Sequence, residues 1–135
     1  MAIFYNKVER GNPSDPEAPK KWYPVLKTLG MVREKEVGKQ IADETTLNPK
    51  EGEIALIQFQ KILIRNLLEG RSVQLGDWGS FYLTLNSTGS DTKEEVSAAN
   101  VTKINVRFKP GKELTEALAK AQLRQVESLT NQTGR

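Results

Sequence analysis

The sequence contains neither cysteine nor histidine. The lack of cysteine excludes disulfides and thiolate metal sites. The lack of histidine removes the commonest general base and the commonest metal ligand. Ser-His-Asp and Cys-His catalysis therefore cannot arise from this chain alone. We predict that the protein is not an enzyme and that it uses no cofactor, metal ion or small-molecule substrate.

Long apolar runs are absent as well. No stretch approaches the ~18 apolar residues that span a bilayer. The first 21 residues do not combine a basic segment with a following apolar segment, so they do not resemble a secretory signal. Hydrophobic residues make up 37% of the chain and charged residues 27%, which is typical of a soluble domain. We expect a cytoplasmic protein without a membrane partner.

Charge is distributed unevenly along the chain. The formal net charge is +3, composed of +3 in residues 1–40, −4 in residues 41–100 and +4 in residues 101–135. A basic end beside an acidic middle is compatible with a local anionic partner such as the phosphate backbone of DNA. A moderately basic composition is also common among soluble proteins, so charge alone leaves the partner open.

The first 31 residues read as an extension made of one strand and a loop. Mixed aromatic and branched residues in 2–9 predict the strand. Three prolines within residues 13–19 predict the loop, because each fixes φ and removes a backbone donor. Trp22 and Tyr23 could stack on nucleobases or hold the loop on the core, and we favour the core. We expect this extension to pack on the domain that follows.

Two helices are predicted next. The first begins near Arg33 and ends near Thr46, with its apolar residues on one face. The second has a complete start signal, with Asn48 as the N-cap, Pro49 at the first helical position and Glu51 closing a capping box. Gly70 is placed to end it.

Apolar residues of the second helix, between residues 54 and 68, extend well past one face. A helix that is apolar over so much of its surface needs cover from more than one side. In a chain of 135 residues, a partner subunit is a natural source of that cover.

The remainder alternates between strand patterns and one helix pattern. Residues 72–75, 81–85 and 101–108 are strand-like, and the polar segment 86–100 is predicted to be a flexible excursion. A last helix is predicted from Glu113 to about Leu129, followed by a flexible tail at 131–135. Strands, helices and connections in this order indicate an α+β fold.

Two motifs and the helix pair resemble the HU/IHF family of bacterial histone-like DNA-binding proteins. The motifs are GDWGSF at 76–81 and RFKPGKEL at 107–114. Upstream, EKEVGKQIADET and LNPKE resemble the first helix and turn of the family. The match is to a longer HU-related variant that carries an N-terminal extension.

The resemblance implies a helical pair, an antiparallel sheet with an arm and a C-terminal helix, in an intertwined homodimer. Residues 32–130 would form the DNA-binding domain. The implied function is architectural binding of double-stranded DNA in the nucleoid, largely independent of sequence, through a basic saddle of the homodimer.

The predicted DNA-contacting residues lie around the second motif. Strand alternation places one set of side chains opposite Ile104, Val106 and Phe108. Backbone N–H groups at the start of the last helix would add to the anion preference there, and an arginine at the helix–strand junction is a weaker candidate. The predicted set is Lys103, Asn105, Arg107, Lys109, Gly111, Lys112 and Arg71. The alternative is that this polar face is simply solvated.

The arm departs from the family pattern. In HU and IHF it is a basic ribbon with a proline that wedges between base steps. Here residues 86–100 carry a net charge of −2 and no proline. Minor-groove insertion needs cations and an apolar wedge, so we expect weak bending of DNA. The alternative function is a scaffold or protein-interaction module that has lost strong DNA binding.

Overall fold

The computed structural model describes residues 1–126. These residues form three α-helices and two three-stranded sheets, which confirms the predicted α+β class. In chain order the elements are β1 (Ile3–Arg10), β2 (Lys21–Lys27), α1 (Glu34–Glu44), α2 (Pro49–Leu68), β3 (Val73–Leu75), β4 (Gly79–Ser87), β5 (Val101–Pro110), α3 (Lys112–Ala119) and β6 (Leu123–Gln125). None of the described helices is long and apolar enough to cross a membrane.

The chain divides into two compact units. Of the described residues, 1–32 and 118–126 form one unit, and Arg33–Ala117 form the other. The first contains a sheet in the order β2-β1-β6, called the N-terminal sheet below. The second contains α1, α2 and a sheet in the order β3-β4-β5, called the central sheet.

The N-terminal sheet differs from the predicted strand and loop. β1 pairs antiparallel with β2 across the proline-rich connection, so the extension contributes two strands instead of one. The connection itself is a loop as predicted, and Asn12 and Asp15 accept hydrogen bonds from backbone amides two residues further on. Trp22 and Tyr23 lie in β2 with 66% and 44% of their surface exposed. The expectation that they are core residues is wrong.

The last helix is shorter than predicted. α3 ends at Ala119, and a turn bond from the Ala121 amide to the Leu118 carbonyl follows it. Residues 123–125 then pair in parallel with β1 as β6. Backbone pairing to an available sheet edge outweighs the weak helical pattern of this segment. Residues 127–129 of the predicted helix and the predicted flexible tail at 131–135 lie outside the described residues.

The helix α2 begins and ends as its sequence predicts. The Asn48 side chain accepts from the Glu51 amide at 2.9 Å, and the Glu51 carboxylate accepts from the Asn48 amide at 3.0 Å, which completes the capping box. At the other end Gly70 adopts φ +80°, a left-handed conformation that glycine takes without steric cost. The Gly70 and Arg71 amides donate to the carbonyls of Leu67 and Asn66, the Schellman arrangement.

The capping box supports a stability prediction. Asn48→Ala removes the acceptor for a first-turn amide of α2, and we expect the free energy of unfolding to fall by about 1 kcal/mol. Urea unfolding at fixed protein concentration measures the change. Asn48→Asp keeps an accepting oxygen and should cost no more than a few tenths of a kcal/mol. An equal loss for both variants would show that capping is not the cause.

Very little of the chain is buried. Among the described residues, Leu67 on α2 is the only buried hydrophobic side chain, with 8% of its surface exposed. The α2 side chains at positions 56, 59 and 63, which share a helical face with Leu67, are half-buried. The opposite side of α2 and one face of the central sheet remain exposed and apolar.

Candidate nucleic-acid interface

The candidate interface is built on β5, whose alternation separates two faces of the central sheet. In register with β4, Phe108 lies opposite Phe81, Val106 opposite Leu83 and Ile104 opposite Leu85 on the apolar face. The residues between them point to the other side because successive strand side chains alternate. That side carries Lys103, Asn105, Arg107 and Lys109, opposite Asn86, Thr84, Tyr82 and Ser80 respectively.

Three cations of this face form a stripe along β5. Lys103, Arg107 and Lys109 are exposed, and none of them forms an ion pair with a described acidic residue. Six residues of strand separate the first from the last, which is ~20 Å. That length corresponds to roughly six base-pair steps of 3.4 Å along the axis of a DNA duplex. We call these three residues with Asn105 the basic stripe.

Polar neighbours hold one end of the basic stripe. The Asn105 side-chain amide donates to the Asn86 side-chain carbonyl at 3.0 Å, and the Thr102 hydroxyl donates to the Asn86 backbone carbonyl at 3.1 Å. Asn105 is half-buried and partly engaged within the sheet.

The sequence analysis did not identify Tyr82, which lies directly opposite Arg107 on the polar face of the central sheet. The regular polar alternation of β4 was the signal that could have found it.

The two motifs that carry the sequence resemblance meet at one end of the stripe. The Gly111 amide donates to the Trp78 carbonyl at 2.8 Å, and the Glu113 amide donates to the Asp77 carbonyl at 3.0 Å. The Phe108 ring lies 5.3 Å from Trp78 and 4.9 Å from Phe81, centroid to centroid. The Trp78 ring thus contacts both phenylalanine rings, although 44% of its surface is exposed.

These contacts correct one expectation about the start of α3. The Gly111 amide is not free for a phosphate, because it is bonded to the Trp78 carbonyl. Gly111 instead allows the two turns to approach, since a Cβ at this position would overlap the Asp77 carbonyl group. No hydrogen bond is formed by the Lys112 amide within the described part of the chain, so it remains available to an anion.

The two flanking cations are partly compensated by nearby carboxylates. The Lys112 ammonium lies 4.0 Å from Glu116, an exposed pair of small energetic value. The Arg71 guanidinium lies 2.7 Å from the Glu69 carboxylate and also contacts the Asn66 side chain at 3.4 Å. Arg71 is thus less available for phosphate than the stripe cations.

The excursion between β4 and β5 has more local structure than predicted. It contains two short 3-10 turns, at Lys93–Glu95 and Ala98–Asn100. The Asn100 side chain donates to the Thr88 carbonyl at 3.1 Å and to the Ser90 hydroxyl at 2.9 Å, which closes the base of the loop. Its acidic residues are exposed. Local side-chain bonds thus replace strand pairing in this segment, and its flexibility stays a prediction.

No site in the described residues suggests a metal. Groups of three or more Asp or Glu side chains that could hold an ion are absent from residues 1–126. The candidate site for an anionic partner consists of the basic stripe and the start of α3.

The sequence matches a known family model, and the fold is similar to that of a solved structure. Residues 1–125 match the HU-HIG family model, described as an HU domain fused to wHTH, Ig, or glycine-rich motif. The fold is similar to the crystal structure of a candidate bacterial DNA-binding protein from Bacteroides vulgatus ATCC 8482, with a TM-score of 0.63 and 14% sequence identity. The similarity covers 91% of this chain and 48% of that chain, so this chain spans about half its length. No curated protein matches the sequence.

Proposed function

The chain belongs to the HU-HIG family of HU-type domains, and from that premise we propose that it is an architectural protein that binds double-stranded DNA. The family match confirms the resemblance predicted from the two motifs. The observation that carries the proposal is the basic stripe on β5, with its three exposed cations free of ion pairs to described residues. An HU-type family also favours binding over catalysis.

Recognition would be mainly electrostatic. Lysine and arginine that neutralise phosphates release condensed counterions, and this term does not depend on sequence. The basic stripe, Lys112 and its free amide supply the contacts, while Arg71 and Gly111 are peripheral to them. The acidic loop 88–100 would repel the duplex instead of entering its minor groove. We therefore propose that the protein binds duplex DNA in the nucleoid, in the cytoplasm, and bends it only weakly.

Dimerisation is the second part of the proposal. Four of the exposed apolar residues of α2 follow the a/d spacing of a coiled-coil heptad, with a single lysine among them, and Ile62 lies outside this pattern. This α2 seam consists of Ile54, Ile57, Lys61, Ile64 and Leu68. Its apolar members are between 39% and 79% exposed in the single chain.

The apolar face of the central sheet supports the same conclusion. Leu85, Ile104 and Val106 are each 59–60% exposed, although they lie on the face that the strand pattern assigns to a core. Soluble monomers rarely expose apolar surface on this scale. A homodimer that covers both the α2 seam and this face gives the chain the core it lacks alone, and brings two basic stripes into one particle.

Substitution of two cations of the basic stripe tests the proposed function. We expect the double variant Arg107→Gln, Lys109→Gln to bind a ~30 base-pair duplex at least ~10-fold more weakly, and to reduce the slope of log affinity against log salt by about two for each subunit that contacts the duplex. Fluorescence anisotropy at several salt concentrations measures both quantities. Loss of two phosphate contacts per subunit, with folding unchanged, is the physical reason.

A charge-matched control separates contact from net charge. Lys35→Gln with Lys39→Gln removes the same charge from α1 and should leave the slope unchanged. Equal effects from both double variants would mean that only net charge matters and would contradict the assigned stripe. If the parent chain fails to bind DNA even at low salt, the fold serves as a scaffold or interaction module instead.

A further inference from the structure

The N-terminal sheet also has two chemically different faces. In register with β1, Trp22, Pro24 and Leu26 lie on the same face as Tyr5, Lys7 and Glu9, and Leu123 joins them beside Ile3. We call this the apolar face of the N-terminal sheet. The opposite face carries four cations, which we call the basic face: Arg10, Lys21, Lys27 and Arg124.

The four cations lie in two rows across the sheet. Lys27 and Arg124 are the register partners of Phe4 on either side, so they flank it at an estimated Cα separation of ~10 Å. At the other end Arg10 lies opposite Lys21. Six residues of β1 separate the two rows, which is ~20 Å. Two cationic rows at this spacing can reach phosphates well apart on a duplex.

The charge of the basic face is not compensated locally. All four cations are exposed, and none forms an ion pair with a described acidic residue. The other residues that the register places on this face are Phe4, Asn6, Val8, Tyr23 and Val25, none of which is acidic. The acidic member of β1, Glu9, lies on the apolar face. A single-sign surface of this kind attracts polyanions.

We propose that the basic face is a second phosphate-contacting surface, which binds the backbone of double-stranded DNA in addition to the basic stripe. Membrane binding at an anionic surface requires apolar groups that enter the lipid beside the cations. Here the large exposed apolar groups, Trp22 and Leu26, are on the opposite face. Tyr23 offers this face a phenol with a hydroxyl that can donate to a phosphate.

This surface does not depend on the basic stripe, because the two lie on different sheets in different units of the chain. Together they would give one subunit two separate contacts with nucleic acid. Contacts at two sites on one particle favour binding to longer duplexes or to two DNA segments at once.

The test uses the full chain with all four cations replaced: Arg10→Gln, Lys21→Gln, Lys27→Gln and Arg124→Gln. Against a ~30 base-pair duplex we expect affinity to fall at least ~10-fold at about 0.1 M salt, and the salt slope to decrease by roughly three to four for each subunit that contacts the duplex. Circular dichroism checks that the variant remains folded. Two single variants serve as a control for global effects. Lys27→Gln should lower the slope by about one for each subunit that contacts the duplex, and Lys7→Gln, on the opposite face, should leave it unchanged.

The outcomes separate this surface from the function proposed above. Unchanged affinity and slope in the fourfold variant, with weakened binding by Arg107→Gln and Lys109→Gln, would overturn the second surface and leave DNA binding standing. Equal effects of Lys27→Gln and Lys7→Gln would also overturn it. Binding to vesicles of phosphatidylserine and phosphatidylcholine that the fourfold variant loses, with DNA binding intact, would assign the face to lipid and overturn the proposal. Absence of any DNA binding by the parent chain would overturn both proposals.

Discussion

Ile64→Asp is expected to abolish dimerisation. Ile64 lies in the α2 seam and is 57% exposed in the single chain. If the protein acted as a monomer, a substitution at so exposed a site would change stability by no more than about 0.5 kcal/mol. In a dimer the same change places a carboxylate from each subunit in an apolar interface, where an unpaired charge costs several kcal/mol.

The expected size of the effect follows from that cost. About 4 kcal/mol corresponds to a dissociation constant raised roughly a thousandfold. Sedimentation velocity over a range of concentrations measures it, and thermal unfolding should show a lower midpoint. Ala55→Asp places the same group at an exposed position of α2 outside the seam, and should cost only the helix propensity of aspartate, about 0.7 kcal/mol.

The oligomeric state of the parent chain and of the Ile64→Asp variant decides whether the α2 seam is a dimer interface. A parent chain that sediments as a monomer at micromolar concentration would overturn the dimer, as would an Ile64→Asp variant with unaltered self-association. Loss of dimer with loss of DNA binding would indicate that two basic stripes are needed on one particle. Loss of dimer with DNA binding retained would place recognition within a single subunit.

Gly111→Ala is the second substitution with a large expected effect. A Cβ at position 111 would overlap the Asp77 carbonyl group and would lie 3.0 Å from the Gly79 nitrogen. Both partners are backbone atoms, which cannot move aside as a flexible side chain can. The turn would have to open, and the hydrogen bonds from the Gly111 and Glu113 amides to the Trp78 and Asp77 carbonyls would be lost. We expect the free energy of unfolding to fall by about 3 kcal/mol or more.

Denaturant unfolding with a matched glycine control tests this expectation. Gly89→Ala, in the loop after β4, meets no atom within 4 Å. It should be neutral or slightly stabilising, because alanine restricts the unfolded chain. If Gly111→Ala proved as stable as Gly89→Ala, the close approach of the two turns would not contribute to stability. Changes in tryptophan fluorescence would report on the aromatic cluster around Trp78.

The parts of the fold that were predicted correctly are those specified by local chemistry. The start of α2 follows from Asn48 and Glu51, which bond to each other across one turn, and its end follows from Gly70. The two faces of β5 follow from strict alternation along the strand. Such signals lie within a few residues of their effect, so a single sequence is enough to predict them.

The errors involve pairing between distant segments. β6 forms because one edge of β1 is available for pairing, which places Leu123 in register with Ile3. No local pattern around residue 123 reveals this pairing. β2 and the exposure of Trp22 likewise depend on pairing with β1. At the candidate interface, the strand pattern predicted the stripe residues, whereas engagement of the Gly111 amide depends on a turn some thirty residues earlier.

Lys61 is the charged member of the α2 seam, and it would make pairing of the seam sensitive to salt. It lies near the middle of the seam, seven residues after Ile54 and seven before Leu68, so a symmetric pairing of two α2 helices brings its ammonium close to the same group of the other copy. Like charges repel, and dissolved ions weaken that repulsion. In the proposed dimer, added salt would therefore strengthen self-association while it weakens DNA binding. Ionic strength would then act on the two proposed interactions in opposite directions, favouring the dimer interface at high salt and phosphate contacts at low salt.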